Sequence, residues 1–186
     1  CNCRCEAGPL RPDPKHRRRK RGMFVPDGLL EELCQRLDKE GAGDWRRKLM
    51  QKEYGRLHLA VMAEPYLTRI LQGEKTLESR LSRNRIPPYG RLDVGDVVLM
   101  KKTGGDIVAL FEAAAVEYIV LGQQMELGQL QARYNRRLCC DEAFWKVKQD
   151  SRYATLIEID HLQRIQPLRF AKEGRQTWLV LQSTGE

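Results

Sequence analysis

Residues 73–80, Gly73-Glu74-Lys75-Thr76-Leu77-Glu78-Ser79-Arg80, decide how this chain is read, because they set a Lys, a Glu and an Arg close together beside a turn glycine. Just before them, Leu67, Ile70 and Leu71 recur at helical spacing, and Pro65 suits the first turn of a helix. Gly73 then reads as a helix stop. Continued as a strand over 75–81, the stretch puts Thr76, Glu78 and Arg80 on one face and Lys75, Leu77 and Ser79 on the other. Glu78 and Arg80 are therefore same-face neighbours. Lys75 joins them only if the chain bends at the strand mouth.

Working outward, the spacing predicts strands over 57–63, 75–81, 96–101, 107–121, 153–159, 162–168 and 177–181. Helices are expected over 65–72, 124–134 and 142–148, the last capped by Asp141. Toward the N-terminus, Leu29, Leu30, Leu33, Cys34 and Leu37 make one helical stripe from Asp27 as cap to Gly41 as stop. A second helix over 44–53 carries Trp45, Leu49 and Met50 on its apolar side and a basic opposite face. That face either extends a nucleic-acid surface or is simply solvated.

Taken together, Leu59-Ala60-Val61-Met62, the Pro65-Tyr66 helix, the G-x-K-x-x-E-x-R string at 73–80 and Gly95-Asp96-Val97-Val98-Leu99 resemble an ASCH domain. The resemblance is clearest from residue 57 to about residue 121, with 153–180 as the closing strands. It implies a PUA-like fold, a small mixed β-barrel with flanking helices, and a cleft associated with RNA. The class expected is α+β, with residues 1–22 a disordered basic leader, 23–56 a helical N-terminal addition and 57–186 the ASCH domain.

The resemblance places Lys75, Glu78 and Arg80 in that cleft; read from the residues alone, a strand-edge ion pair of Glu78 and Arg80 is the better reading. Some small members of the wider family look like amidohydrolases acting on 4-acetylcytidine through a cleft Lys matching Lys75, with Thr where this chain has Glu78. Others resemble ribonucleases or plain RNA binders. Lys75 and Glu78 are thus the catalytic candidates, as nucleophile or base and as proton exchanger. Glu112 and Glu117 are the candidates for a second acid.

Residues 80–91 interleave Arg80, Arg83, Arg85 and Arg91 with Tyr89 on a proline-stiffened loop that also holds Ser82. Cations for phosphates and a flat ring for base stacking are what single-stranded RNA requires, and a solvent-exposed loop with Tyr89 packed on the barrel is the alternative. Lys101 and Lys102 open a Gly104-Gly105 turn whose N–H groups either receive an anion or close an ordinary hairpin. The RNA-contact candidates are therefore Arg80, Ser82, Arg83, Arg85, Tyr89, Lys101 and Lys102. The function expected is RNA or modified-nucleotide binding, with a hydrolase of a nucleobase amide or RNA phosphodiester, and a protein-interaction module, as alternatives.

The net charge of +8 is local: residues 1–22 hold eight Lys or Arg against Glu6 and Asp13, a net +6, which leaves only +2 for the rest. The run from Lys15 to Arg21 suits phosphate contact, a nuclear address or a solvated leader. The chain opens on Cys1, and residues 1–22 are expected to be an extension that carries no fold information. Cys1, Cys3 and Cys5 are spaced too closely for a zinc knuckle, so neither metal nor cofactor is expected. His58 and His161, flanked by apolar residues, read as structural, and Phe144, Trp145 and Trp178 as core. With no apolar run of membrane-spanning length and no secretory pattern, the cytoplasm is expected, or the nucleus in a eukaryote.

Overall fold

The computed structural model describes residues 23–24, 27–172 and 174–182, so the basic leader and the cysteines at 1, 3 and 5 lie outside the described residues. In chain order the elements are β1 (Met23–Phe24), α1 (Leu29–Lys39), α2 (Gly43–Met50), β2 (Leu57–Met62), α3 (Tyr66–Leu71) and β3 (Leu77–Ser82). There follow β4 (Val97–Lys102), β5 (Ile107–Val120), α4 (Leu127–Leu138), α5 (Glu142–Val147), β6 (Tyr153–Leu168) and β7 (Trp178–Gln182). Among the described residues the strands form one curled sheet in the order β1-β7-β2-β4-β5-β6-β3. The architecture is α+β, a curled half-barrel sheet with flanking helices, consistent with the small mixed β-barrel that the resemblance implies.

The two central strands, β2 and β4, pair in parallel from Leu57↔Val97 to Met62↔Lys102. Both faces of this pair are covered, which is why each reads as a near-continuous apolar run. Leu57, Leu59, Val97 and Leu99 meet Leu33, Leu37 and Trp45 of α1 and α2 on one face. Ala60, Met62, Val98 and Met100 join Leu67, Ile70, Phe111 and Trp178 inside the curl. A third cluster lies under α4 and α5, where Leu77 and Leu81 of β3 pack on Leu130, Leu138 and Trp145. Leu33, Leu37, Leu59 and Leu99 are fully buried, each contributing about 1.5–3 kcal/mol of transfer free energy.

Several boundaries differ from the sequence expectation for local reasons. Asp27 does not cap α1; Gly28, at φ 85°, is the N-cap, and its carbonyl accepts from Glu32 N–H at 2.9 Å. Helix α4 runs to Leu138, beyond the expected end at residue 134, and starts on a reciprocal Glu126–Gln129 capping box. The expected break between residues 159 and 162 is absent, because β6 continues through His161 at φ 47° with shifts of register against β5. His161 is consequently exposed rather than embedded among its apolar neighbours. Asp141 does cap α5, accepting from Phe144 N–H at 2.8 Å.

Inside the curl runs a buried polar chain. Trp178 Nε1 donates to His58 Nδ1 at 3.1 Å, and His58 Nε2 lies 2.9 Å from Asp96 Oδ2. An indole N–H can only donate, so Nδ1 must be the acceptor and the imidazole proton sits on Nε2, directed at Asp96. Asp96 also accepts from the backbone N–H groups of Arg56 and Asp93, at 2.7 and 2.8 Å. This carboxylate leaves no room beside it: a Cβ on Gly55 would stand 2.4 Å from Asp96 Oδ1. Gly55→Ala should therefore cost about 1–3 kcal/mol of stability, read as a lower urea midpoint with an unchanged slope.

Candidate functional site

Curling brings the edge strand β3 round to face the C-terminal end of β2 and the residue before β7, and the site lies in that seam. Arg80 bridges it. Its Nη2 donates to Val61 O at 3.1 Å, its Nη1 lies 3.4 Å from Thr177 O, and the guanidinium sits 5.1 Å from the Trp178 ring centre. Trp178 is the same ring held from behind by His58, so the polar chain in the core fixes the surface on which Arg80 rests.

Glu78 stands one strand period from Arg80 on the same face. Its Oε1 lies 2.9 Å from Arg80 Nε, yet that N–H is not aligned on any acceptor, so the contact is charge pairing rather than a hydrogen bond. Glu78 Oε2 lies 3.4 Å from Lys75 Nζ. Lys75 reaches this position because β3 begins only at Leu77, leaving residues 75 and 76 free to bend after Gly73, at φ 78°. The Lys75 ammonium also donates to Leu77 O at 2.6 Å and to Leu138 O at 3.0 Å. Leu138 ends α4, so the buried cation sits where the helix carries partial negative charge. Lys75 is 3% exposed and Glu78 5% exposed.

A cavity of about 270 Å³ opens at this triad. Val61, Met62 and Ala63 line one side, Ser79, Leu81 and Ser82 another, and Ile86, Pro87 and Pro88 form a rim. From the helices come Tyr66 of α3, Phe144 of α5, and Cys140 and Lys148. Tyr66 and Phe144 meet edge-on at 5.8 Å. Burial pushes the Cys140 thiol up to about 11, partly opposed by Lys75, so the thiol stays protonated and is no nucleophile at neutral pH. Burial, aided by Arg80, holds Lys148 below the ordinary lysine range.

The loop and turn cations lie elsewhere. Arg83 is exposed and pairs with Asp150; Arg85 is exposed over Tyr153, at 5.2 Å from its ring centre. Tyr89 packs between Tyr118 and Tyr153, at 5.2 and 5.0 Å. Ser82 lines the cavity and donates to Asn84 O at 2.7 Å. Lys101 is buried and donates to Gly105 O, while Lys102 pairs with Glu64 at 3.4 Å. The N–H groups of Thr103 and Gly105 are already bonded to Met62 O and Lys102 O, so these two are not free to receive an anion. Glu112 is tied to Lys48 and His161, and Glu117 accepts from Tyr134, so neither reaches the cavity. Among the described residues that line it, Glu78 is the carboxylate, and no group of His, Cys, Asp or Glu among the described residues is arranged to hold a metal.

The sequence reading missed Tyr66, Cys140, Phe144 and Lys148 as lining residues. One signal was available: Phe144 and Lys148 are four residues apart around α5 and its C-cap, so a face that presents Phe144 inward also presents Lys148. Phe144, expected in the core, is only partly buried because it forms the cavity wall.

This geometry defines a curled α+β half-barrel with a charged pocket in its seam. Its solved structural neighbours include the ASCH protein of Zymomonas mobilis, 17% identical, which aligns over 68% of this chain and 88% of that one with a TM-score of 0.55. A single-substitution variant of that protein aligns over 69% of this chain and 91% of its own at 16% identity, with a TM-score of 0.55. No family model and no curated protein matches the chain. The fold is that of these ASCH structures. No helix among the described residues is long and apolar enough to cross a membrane.

Proposed function

We propose that the chain binds RNA or a modified nucleotide, a base or nucleotide entering the seam pocket and the flanking strand passing along the 82–91 loop. One observation carries the reading: Lys75, Arg80 and Lys148 surround a cavity whose lining, among the described residues, supplies the single carboxylate Glu78, beside the aromatic wall of Tyr66 and Phe144. Such a lining favours an anion attached to a flat ring. The volume, about 270 Å³, sits near the lower end of ligand pockets, which start at about 300 Å³, and so suits a mononucleotide-sized group. Exposed Arg83 and Arg85 precede, on the same loop, the lining residues Ile86 to Pro88.

A hydrolase of a nucleobase amide or RNA phosphodiester is the second reading, favoured by the 3.4 Å approach of Lys75 to Glu78 in the pocket. Binding is preferred because the Lys75 ammonium already faces two carbonyls and one carboxylate, so a base or nucleophile would have to break those contacts first. With an interaction module as the remaining alternative, one experiment separates the three. Labelled single-stranded RNA should bind, and the Arg83→Ala, Arg85→Ala double variant should lower the slope of log K against log salt by about 1.4, from about 0.7 per lost phosphate contact. Lys75→Met should keep that slope and abolish any turnover of 4-acetylcytidine or RNA. An unchanged slope rejects the groove, full turnover in Lys75→Met rejects Lys75 as the catalyst, and absence of both binding and turnover leaves the interaction module.

A further inference from the structure

The three cations of the pocket are not equivalent. Lys75 and Arg80 share Glu78, and each is further held by backbone carbonyls. Among the described residues, Lys148 has no carboxylate within ion-pair distance. Its ammonium makes one long contact, 3.4 Å to Leu81 O, and lies 5.9 Å from the centre of the Phe144 ring. A half-buried cation normally has its charge matched, and for Lys148 the protein leaves that match to the occupant of the cavity.

We propose that Lys148 is the anion receptor of the pocket, and that it receives a phosphate group carried by the ligand next to the Phe144 ring. The proposal rests on the nucleotide reading above for the identity of the ligand, but not for the presence of an anion. Phosphate suits the site because its several acceptor oxygens can take more than one hydrogen bond from the Lys148 ammonium. A bound anion also offsets the two effects that hold Lys148 low, burial and Arg80, so binding draws a proton onto the amine when the free group has lost it. The sign follows: affinity is full at low pH and declines as pH rises through the lowered Lys148 value. The other ionisable groups around the cavity are Tyr66, Lys75, Glu78, Arg80 and Cys140. Burial raises Tyr66, and it pushes Cys140 up to about 11, above that window.

Inorganic phosphate, adenosine 5′-monophosphate and adenosine, titrated into the full chain and into Lys148→Met and Lys148→Arg, test this. Lys148→Met should weaken phosphate and the monophosphate about tenfold, equivalent to about 1.4 kcal/mol, and leave adenosine unchanged. Lys148→Arg should restore binding to within about threefold and remove its decline at alkaline pH, since Arg does not titrate there. A melting temperature matching the parent shows that a loss is not unfolding. Phosphate affinity in Lys148→Met within about twofold of the parent would overturn the assignment, as would an equal loss for adenosine. Phosphate binding that depends on Lys148 while adenosine fails to bind would keep the receptor and remove the nucleotide reading. No phosphate or monophosphate binding by the parent chain would overturn both.

Discussion

Replacing Glu78 by Gln should lower stability by about 3–5 kcal/mol, because it strands buried cations without an anion. The mutated atom is small, but its environment is not forgiving: Glu78 is 5% exposed and Lys75 3% exposed, and the carboxylate is the charge partner of both Lys75 and Arg80. Carbonyl dipoles from Leu77 and Leu138 remain to Lys75, but they do not replace a full negative charge. For a chain of this size the loss corresponds to a fall in Tm of about 10 °C, from about 2–4 °C per kcal/mol. Adding Lys75→Met to Glu78→Gln should recover a large part of it, since the uncompensated ammonium goes too. Thermal melts of the two single variants and the double variant measure that coupling directly. An unchanged Tm in Glu78→Gln would mean that water reaches the pair, and the buried ion pair would have to be given up as a source of stability.

Asp96→Ala should be comparably costly, by about 3–5 kcal/mol, although Asp96 touches no residue of the pocket. The substitution leaves His58 Nε2–H and the backbone N–H groups of Arg56 and Asp93 without their acceptor in a dry site. It also loosens the far end of the chain that holds Trp178 beneath Arg80, so the Trp178 indole N–H resonance should shift and broaden along with the fall in stability. Asp96 also gives the protein an acid limit. Burial opposes its ionisation, but the hydrogen bonds from His58, Asp93 and Arg56 outweigh that and hold its pKa below the ordinary 3.8. A depressed carboxylate contributes stability that is fully present above its unfolded value and is lost as pH falls through the folded one. The urea midpoint should therefore drop below about pH 3.8, and Asp96→Asn should show a shallower drop from a lower starting point. A midpoint with the same acid dependence in both would remove Asp96 as its source.

The sequence by itself determined the elements and their class. Helix α1 was legible from its single apolar stripe, α3 from Leu67 and Ile70 followed by the positive-φ Gly73, and the two central strands from apolar runs that only a sheet covered on both faces requires. It also singled out Lys75, Glu78 and Arg80, because an alternating strand places Glu78 and Arg80 on one face whatever the rest of the chain does. Strand β1 was not legible: two residues have no periodicity, and Met23 and Phe24 become a strand only because β7 offers a parallel edge. The early bend that carries Lys75 to Glu78 was left open for the same reason, since β3 starts where β6 pairs with Leu77. Only the tertiary structure decided which charges meet. The curl of the sheet brings Val61, Thr177 and Trp178 to Arg80, and the packing of α4 and α5 on β3 brings Leu138 and Lys148 to the triad, contacts between residues far apart in the chain, 97 positions for Arg80 and Thr177. Local sequence sets the direction of a side chain along its own element; what it faces is set by how those elements close on one another.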